Sequence, residues 1–376
     1  MIIKEKHIHI ISFNIPYPAN YGGIIDIYYK LKYLSEAGIK IHLHCYEYGR
    51  EHQEKLEDYC ETVRYYKRLS GIKYIFNKLP YIAVTRSSKA LLEDLLQDNY
   101  PVLFEGLHTT FFLSIKDLND RIKIVRTHNI EHKYYFHLAQ AEKNFFKKMF
   151  FLIESKKLER HERILHKANI IAAISKNDTE YFKKKFSNVH YIPVFHPYQD
   201  VISKEGTGKY ILYHGDLTVR ENQKVVSFLI REVVNELQIP FIVAGKDPSK
   251  ELIHACNKHE YIKLTGNPSE SEMNELISNA QINIIPTFQE TGMKLKLLAS
   301  LFIGRHCITN SFTVKNTGLE VLCTIKNTPE VLKEEIKQLF SIPFNKELIN
   351  LRKEILLQQF SNKKNIEKLK RFFFVN

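Results

Sequence analysis

Nowhere in the 376 residues do about 18 apolar residues run together, so no membrane-spanning helix is expected. The N-terminal MIIKEKHIHIISF has an early charged patch and a short apolar run that reads as a strand, not as a secretory leader. Cysteine is scarce: five residues, at 45, 60, 256, 307 and 323, show no paired spacing. That argues against a disulfide scaffold and a cysteine-clustered zinc site. Cys45, Cys307 and Cys323 sit in apolar runs and read as core thiols of a reducing compartment. There is no short-period repeat, no RNA-binding aromatic motif and no helix-turn-helix module. The expectation is a cytoplasmic globular protein that does not bind nucleic acid.

What is present is apolar substance and positive charge. Apolar residues make up 44% of the chain, enough for two domains with a core each. The formal charge of +13 is concentrated. Residues 143–167, KNFFKKMFFLIESKKLERHERILHK, carry eight basic and three acidic side chains, and residues 361–376 carry five and one. In 143–167, Phe145, Phe146, Met149, Phe150, Leu152 and Ile153 form a broad apolar side. Two readings fit: a buried helix with a solvated basic back, or a surface that meets an anionic membrane leaflet and so a lipid-linked acceptor. The C-terminal KKNIEKLKRFFFVN repeats the signal. Association with the inner face of the membrane is the matching expectation for localisation.

Strand and helix signals alternate through both halves, which predicts an α/β fold of two doubly wound, Rossmann-like domains. In the first half, strands are expected at 7–13, 39–46, 61–66, 101–105, 122–127 and 169–173, with a helix over 24–37 spaced at Ile24, Ile27, Tyr28, Leu31 and Leu34. The pattern lapses over 195–208, FHPYQDVISKEGTG, which reads as an interdomain linker. It resumes with strands at 210–214, 239–244, 261–264 and 281–285 and helices at 221–237, 250–258 and 269–278. Helices over 329–340, 346–360 and onward to about 374 close the chain. The expected domains are 1–200 and 201–358, followed by a terminal helix, 359–376.

Ligands of open α/β sheets bind at the carboxyl ends of the strands, so polar residues just after strands are the candidates. Gly22 and Gly23 follow the first strand and permit close backbone approach, although a tight turn also explains them. FEGLH supplies Glu105, and RTHNIEHKYYFH supplies His128 and Asn129 beside His132 and His137. No metal is expected, because these histidines lack the HExxH order and a cysteine partner. In the second half come Arg220 and Asn222, then Gly245 and Lys246, then Gly266 and Asn267. Last comes the loop and helix start with Glu290, Thr291, Gly292, Lys294 and Lys296. A helix N-terminus with two lysines suits a phosphate, and an ordinary strand-to-helix connection with solvated lysines fits the same residues.

The run from Glu290 to Ile308, with Gly292, a basic pair, a leucine-rich helix, Gly304 and a strand, resembles the donor-binding segment of retaining GT-B glycosyltransferases. That is the family 4-like, group 1 set, with bacterial members that build surface polysaccharides. The resemblance implies the GT-B fold, its two domains facing across a cleft, and a terminal helix packed back on the first domain. It implies a nucleotide-sugar donor used as substrate, no cofactor, and a glycan or lipid-linked acceptor. It places the diphosphate at Gly292, Lys294 and Lys296, the nucleotide against the 245–246 and 266–267 loops, the glycine pair at the reaction centre and His128 beside the transferred sugar. Two departures stand out. The family's paired glutamates fall on Thr291 and Ala299, and its basic pair after the first glycine falls on Asp216 and Asn222. The expected activity is sugar transfer by a retaining, metal-independent hexosyltransferase. A nucleotide-sugar 2-epimerase of the same fold and a non-catalytic basic scaffold for anionic lipid or polymer are the competing readings.

Overall fold

A computed structural model describes residues 5–288 and 295–374 of the chain. Strand pairing and packing divide them into two compact units. One runs from the N-terminus to Pro197 and takes in the last helix from Asn362; the other runs from Tyr198 to Ser361.

The N-terminal unit holds seven parallel strands: β1 (Lys6–Ser12), β2 (Ile39–Glu47), β3 (Thr62–Lys67), β4 (Val102–Glu105), β5 (Lys123–Thr127), β6 (Ile170–Ala173) and β7 (Val189–Tyr191). Their order is β3-β2-β1-β4-β5-β6-β7. Alternation sets the two faces. Ile8 and Ile10 of β1 join Ile39, Ile41, Leu43 and Cys45 of β2 in the core under the Gly22–Glu36 helix, while Ile11 faces a second core with Phe104 and Val125. A sheet covered on both faces needs near-continuous apolar strands, which is why these were readable. His9, His42 and His44 interrupt them on one face only. The Asn362–Phe373 helix packs on the Gly22–Glu36 helix, with Ile366, Leu369 and Phe373 in the same core. Its apolar side is therefore occupied, and the similarity of the C-terminal tail to the 143–167 stretch does not extend to an exposed apolar face.

The C-terminal unit holds β8 (Ile211–Asp216), β9 (Phe241–Lys246), β10 (Ile262–Gly266), β11 (Ile282–Ile284), β12 (His306–Thr309) and β13 (Thr324–Ile325), all parallel, in the order β10-β9-β8-β11-β12-β13. In both units the chain order reverses beside the first strand, at β1/β4 and β8/β11. That is the topological switch point, where a crevice opens beyond the strand ends.

Three expectations change. The stretch read as a linker does hold the boundary between the units, after Pro197, but it is built in and not loose: Phe195, His196 and Val201 are buried, and Gly206 pairs with Phe344. The helix expected over 221–237 is α-helical over Arg220–Phe228 and continues in wider π turns over Leu229–Val234. The basic stretch forms a helix over Phe145–His161 and a 3₁₀ segment over Glu162–Lys167, and its buried side carries Glu154, Ser155, Leu158 and His161. The apolar side, with Phe145, Phe146, Met149 and Ile153, is exposed. Glu154 explains the inversion: its carboxylate accepts the Tyr81 amide at 2.6 Å and the Lys157 ammonium at 2.8 Å, so this face turns inward.

Candidate functional site

At the β1/β4 switch point the N-terminal unit holds a buried group of charges. Asp26 and Lys30 lie one turn apart on the Gly22–Glu36 helix, Glu105 ends β4 and Arg126 lies in β5. The Lys30 ammonium donates to Asp26 at 2.9 Å and to Glu105 at 2.6 Å. Arg126 donates to both Asp26 oxygens, at 2.8 and 3.1 Å, and to the carbonyls of Ile192 and Pro193. The Phe195 amide donates to Asp26 at 2.8 Å. Two carboxylates and two cations thus make a neutral set, the arrangement that lets charge stay buried. Burial alone would raise the Asp26 carboxyl, but Arg126 and Lys30 outweigh it and hold it far below its ordinary range. Burial would likewise raise Glu105, and Lys30 with the His128 hydrogen bond holds it below its ordinary value.

That charge state fixes His128. Glu105 is ionised and accepts only, so the His128 Nε2–H donates to it, at 2.9 Å. With Nε2 so engaged, Nδ1 is the remaining polar atom of the ring. This atom is buried and has no partner among the described residues. It faces the helix start: a Cβ added to Gly23 would lie 3.6 Å from Nδ1 and 2.9 Å from the Phe13 ring. Gly22 and Gly23 are the first two residues of that helix. Gly106, with φ +71°, brings His108 beside the same ring.

The carboxyl ends of β4 to β7 leave further buried polar atoms without a partner among the described residues: His108 Nδ1, Thr127 Oγ1, Glu131 Oε1, Asp178 Oδ2 and Tyr191 OH. Asn129 turns its side chain to Glu131. Burial, opposed by Asn129 and reinforced by Asp178, pushes the Glu131 carboxyl up to about 8. His132 bonds the Tyr181 hydroxyl and His137 bonds Gln140, so neither joins His128. Asp26, Glu105 and His128 could between them offer a metal three ligand atoms. Their carboxylates are already bridged by Lys30 and Arg126, and that set does not suit a cation.

In the C-terminal unit, Lys296 near the start of the Leu295–Ile303 helix reaches back to β8. Its ammonium donates to the Tyr213 hydroxyl and to Asn222 Oδ1, each at 3.0 Å, and lies 4.7 Å from the Tyr213 ring centre. Asn222 also donates to the Asp216 carbonyl at 2.7 Å, so its side chain positions Lys296. Glu221 accepts from the Thr287 hydroxyl and from the Phe288 amide, the latter at 3.2 Å, and Asn310 brackets Thr287 from the other side. These two residues hold the segment that leaves β11. Glu290, Thr291, Gly292 and Lys294 lie outside the described residues. Ala299, at the place of the family's ribose glutamate, is buried in the helix.

The glycines after β9 and β10 have different reasons. Gly245 sits opposite Gly215, and an added Cβ would stand 1.8 Å from the Gly215 carbonyl oxygen. At Gly266 the nearest atoms would be Pro248 carbons at 3.4 Å. Asn267, at φ +52°, accepts the Asp247 amide at 2.9 Å and ties the two loops together. Lys246 and Arg220 are exposed.

Of the residues expected from the sequence, the structure joins His128 to Glu105 and Lys296 to Asn222, and sets Asn129 against Glu131. Asp26 and Lys30, the second of which bonds Glu105, and Tyr213 and Asn310 were not singled out by the sequence, while Arg126 and Glu221 were legible only as polar residues beside strand ends. A charged i, i+4 pair on the border of an apolar helix stripe, as in IIDIYYKLKYL, was the available signal for Asp26 and Lys30.

No protein-family model matches the chain. An uncharacterized 44.6 kDa protein from the cps region of Klebsiella pneumoniae is 27% identical over 330 residues, 82% of this chain and 84% of that protein. Among solved structures, TarM aligns over 99% of both chains with a TM-score of 0.70 at 10% identity. Sucrose-phosphate synthase from Thermosynechococcus elongatus covers 98% of this chain and 99% of its own, with a TM-score of 0.68 at 14% identity. A glycosyltransferase from Rickettsia africae covers 98% of both, with a TM-score of 0.65 at 14% identity. At such identities the likeness speaks for the fold, and the fold of this chain is that of the GT-B glycosyltransferases.

Proposed function

We propose that the chain is a retaining, metal-independent glycosyltransferase that moves a sugar from a nucleotide-sugar donor to a glycan or lipid-linked acceptor. One observation carries the reading: a neutral, buried ionic set at the β1/β4 switch point holds His128 with Nδ1 bare beside Gly23. A sugar hydroxyl can hydrogen-bond to that nitrogen. The unpartnered Thr127, Glu131 and Tyr191 atoms nearby fit a polyhydroxylated ligand. In the transfer, the bond from the anomeric carbon to the distal phosphate oxygen breaks. A bond to the acceptor oxygen forms on the same face, and the acceptor proton leaves with the nucleoside diphosphate. Lys296, with Lys294 and the amides at Gly292, is assigned to the developing phosphate charge. Asn129 is assigned with His128 to orienting sugar and acceptor, Gly22, Lys246, Gly266 and Asn267 keep the places that the family resemblance gives them, and Arg220, Glu290 and Thr291 are assigned to the donor in place of the family's own residues. The cps-region relative supports a polysaccharide setting.

The test is incubation with a panel of nucleotide-sugars, with and without glycan and lipid-linked acceptors, reading released nucleoside diphosphate and product. Acceptor-dependent release by the wild-type chain is expected. Lys296→Met and Lys294→Ala should each weaken donor binding by about 1.5–3 kcal/mol, roughly 10- to 150-fold. Sugar conversion without acceptor would replace the reading by an epimerase. Absence of any nucleotide binding, measured as thermal stabilisation, would replace it by a scaffold.

A further inference from the structure

The N-terminal unit carries an exposed apolar patch bordered mainly by lysines. On the Phe145–His161 helix the outward residues are Phe145, Phe146, Met149 and Ile153, with Phe145 68% and Phe146 82% exposed. At about 100° per residue these four span about 100° of the helix circumference, one continuous stripe. Lys156 and Arg160, both exposed, continue it. The 72–76 segment lies alongside: the Lys157 ammonium donates to the Ile75 carbonyl at 2.5 Å, and the Tyr81 ring meets Phe150 edge-on at 6.1 Å. This neighbour adds Ile72, 72% exposed, and Phe76, 81% exposed. Residues 71–78 and 143–153 together contain five lysines, at 73, 78, 143, 147 and 148, and no acid.

We propose that this face docks on an anionic lipid bilayer. Phe76, Phe145, Phe146 and Met149 enter the boundary between headgroups and acyl chains, and Lys73, Lys78, Lys143, Lys148 and Lys156 meet lipid phosphates. Charge complementarity selects this occupant. A second copy of the chain would set five lysines against five, which repels. The cations around the face are lysines except Arg160, and lysines are point charges on flexible stems that follow a diffuse negative surface. The apolar side chains come from two separate elements that share one surface, so the face is broad, as a bilayer requires. The inference rests on this surface alone and stands independently of the sugar-transfer reading.

Co-sedimentation of the full chain with phosphatidylcholine vesicles, with and without phosphatidylglycerol, tests it. Binding is expected to the anionic vesicles and to fall as salt rises. Phe76→Ser with Phe146→Ser should weaken it about tenfold or more. Lys148→Gln with Lys156→Gln should weaken it by about fivefold for each lysine. Val321→Ser, at an exposed apolar position in the other unit, should leave it unchanged. All substituted positions are exposed, so circular-dichroism melting should match the wild type. A fluorophore on Phe146→Cys should shift to the blue on anionic vesicles. The proposal is overturned if the chain stays in the supernatant with anionic vesicles at low salt. It is equally overturned if the double-serine variant sediments like the wild type. So is it if the patch instead drives self-association, seen by sedimentation velocity and lost in that variant.

Discussion

Replacing Lys30 with methionine isolates the electrostatics beneath the candidate site. The side chain is fully buried and bridges Asp26 and Glu105, themselves fully buried. Methionine keeps most of the stem and removes the charge. Asp26 retains both Arg126 contacts, so the excess negative charge falls on Glu105. Relief is a proton taken up by the Glu105–His128 pair, and a proton on the carboxyl sets the upper bound of its cost. Protonating an ordinary glutamate costs about 1.36 kcal/mol for each pH unit above about 4.3, hence about 4 kcal/mol at pH 7.5 and about 1.5 kcal/mol at pH 5.5. The first figure agrees with the roughly 3–5 kcal/mol lost when one member of a buried ion pair is removed. The sign follows from proton counting. In the wild type Glu105 is held below its ordinary value, which stabilises the fold above that value; in Lys30→Met the native state gains a proton that the unfolded chain lacks at neutral pH. The variant's deficit should therefore shrink as pH falls. The chain has no tryptophan, so urea unfolding followed by far-ultraviolet circular dichroism is the suitable assay. A deficit below about 1 kcal/mol at pH 7.5, or one equal at both pH values, would refute the neutral-set argument.

Two further outcomes follow from the fold. His9 and His44 share a 2.8 Å hydrogen bond between ring nitrogens, and burial lowers both below the ordinary imidazole value, with His44 well below. The unfolded chain therefore binds more protons below about pH 6.5, and wild-type stability should fall there by up to about 1.4 kcal/mol per pH unit for each ring. His44→Leu should flatten that slope in urea titrations at pH 7, 6 and 5; an unchanged slope would contradict it. Gly245→Ala should destabilise the C-terminal unit by about 3 kcal/mol or more, because its methyl would overlap the Gly215 carbonyl. Gly266→Ala, with room beside Pro248, should cost less than about 1 kcal/mol, and equal urea midpoints for the two variants would show the explanation to be wrong.

The central strands of both sheets were readable because they are buried on both faces and so are mostly apolar. β7, with only Val189 buried, and the two-residue β13 carry too little of that signal and were not foreseen. The 195–208 stretch was legible as the boundary between the units, but not as packed structure. Its composition is that of a tether, yet Phe195 is in the N-terminal core and its amide serves Asp26. Glu105 and His128 were legible from position, as polar residues directly after strands. Their support was not: Asp26 and Lys30 are 75 or more residues from Glu105 and look like an ordinary helix-surface pair until the fold closes over them.

The order of apolar and polar residues by itself determined two parallel, doubly wound units and the strand ends at which a ligand would bind. Side-chain alternation and helical periodicity are local, and each element shows its own. Tertiary structure alone decided which face of a helix turns inward and which distant charges meet. The 145–161 helix could have buried its phenylalanines; the demand of the Tyr81 amide and Lys157 on Glu154 turned them outward. Neutralising Asp26 and Glu105 took Lys30 from the same helix as Asp26 and Arg126 from a strand a hundred residues further on. Such choices follow from satisfying every buried polar group at once, a condition on the whole domain that no single segment contains.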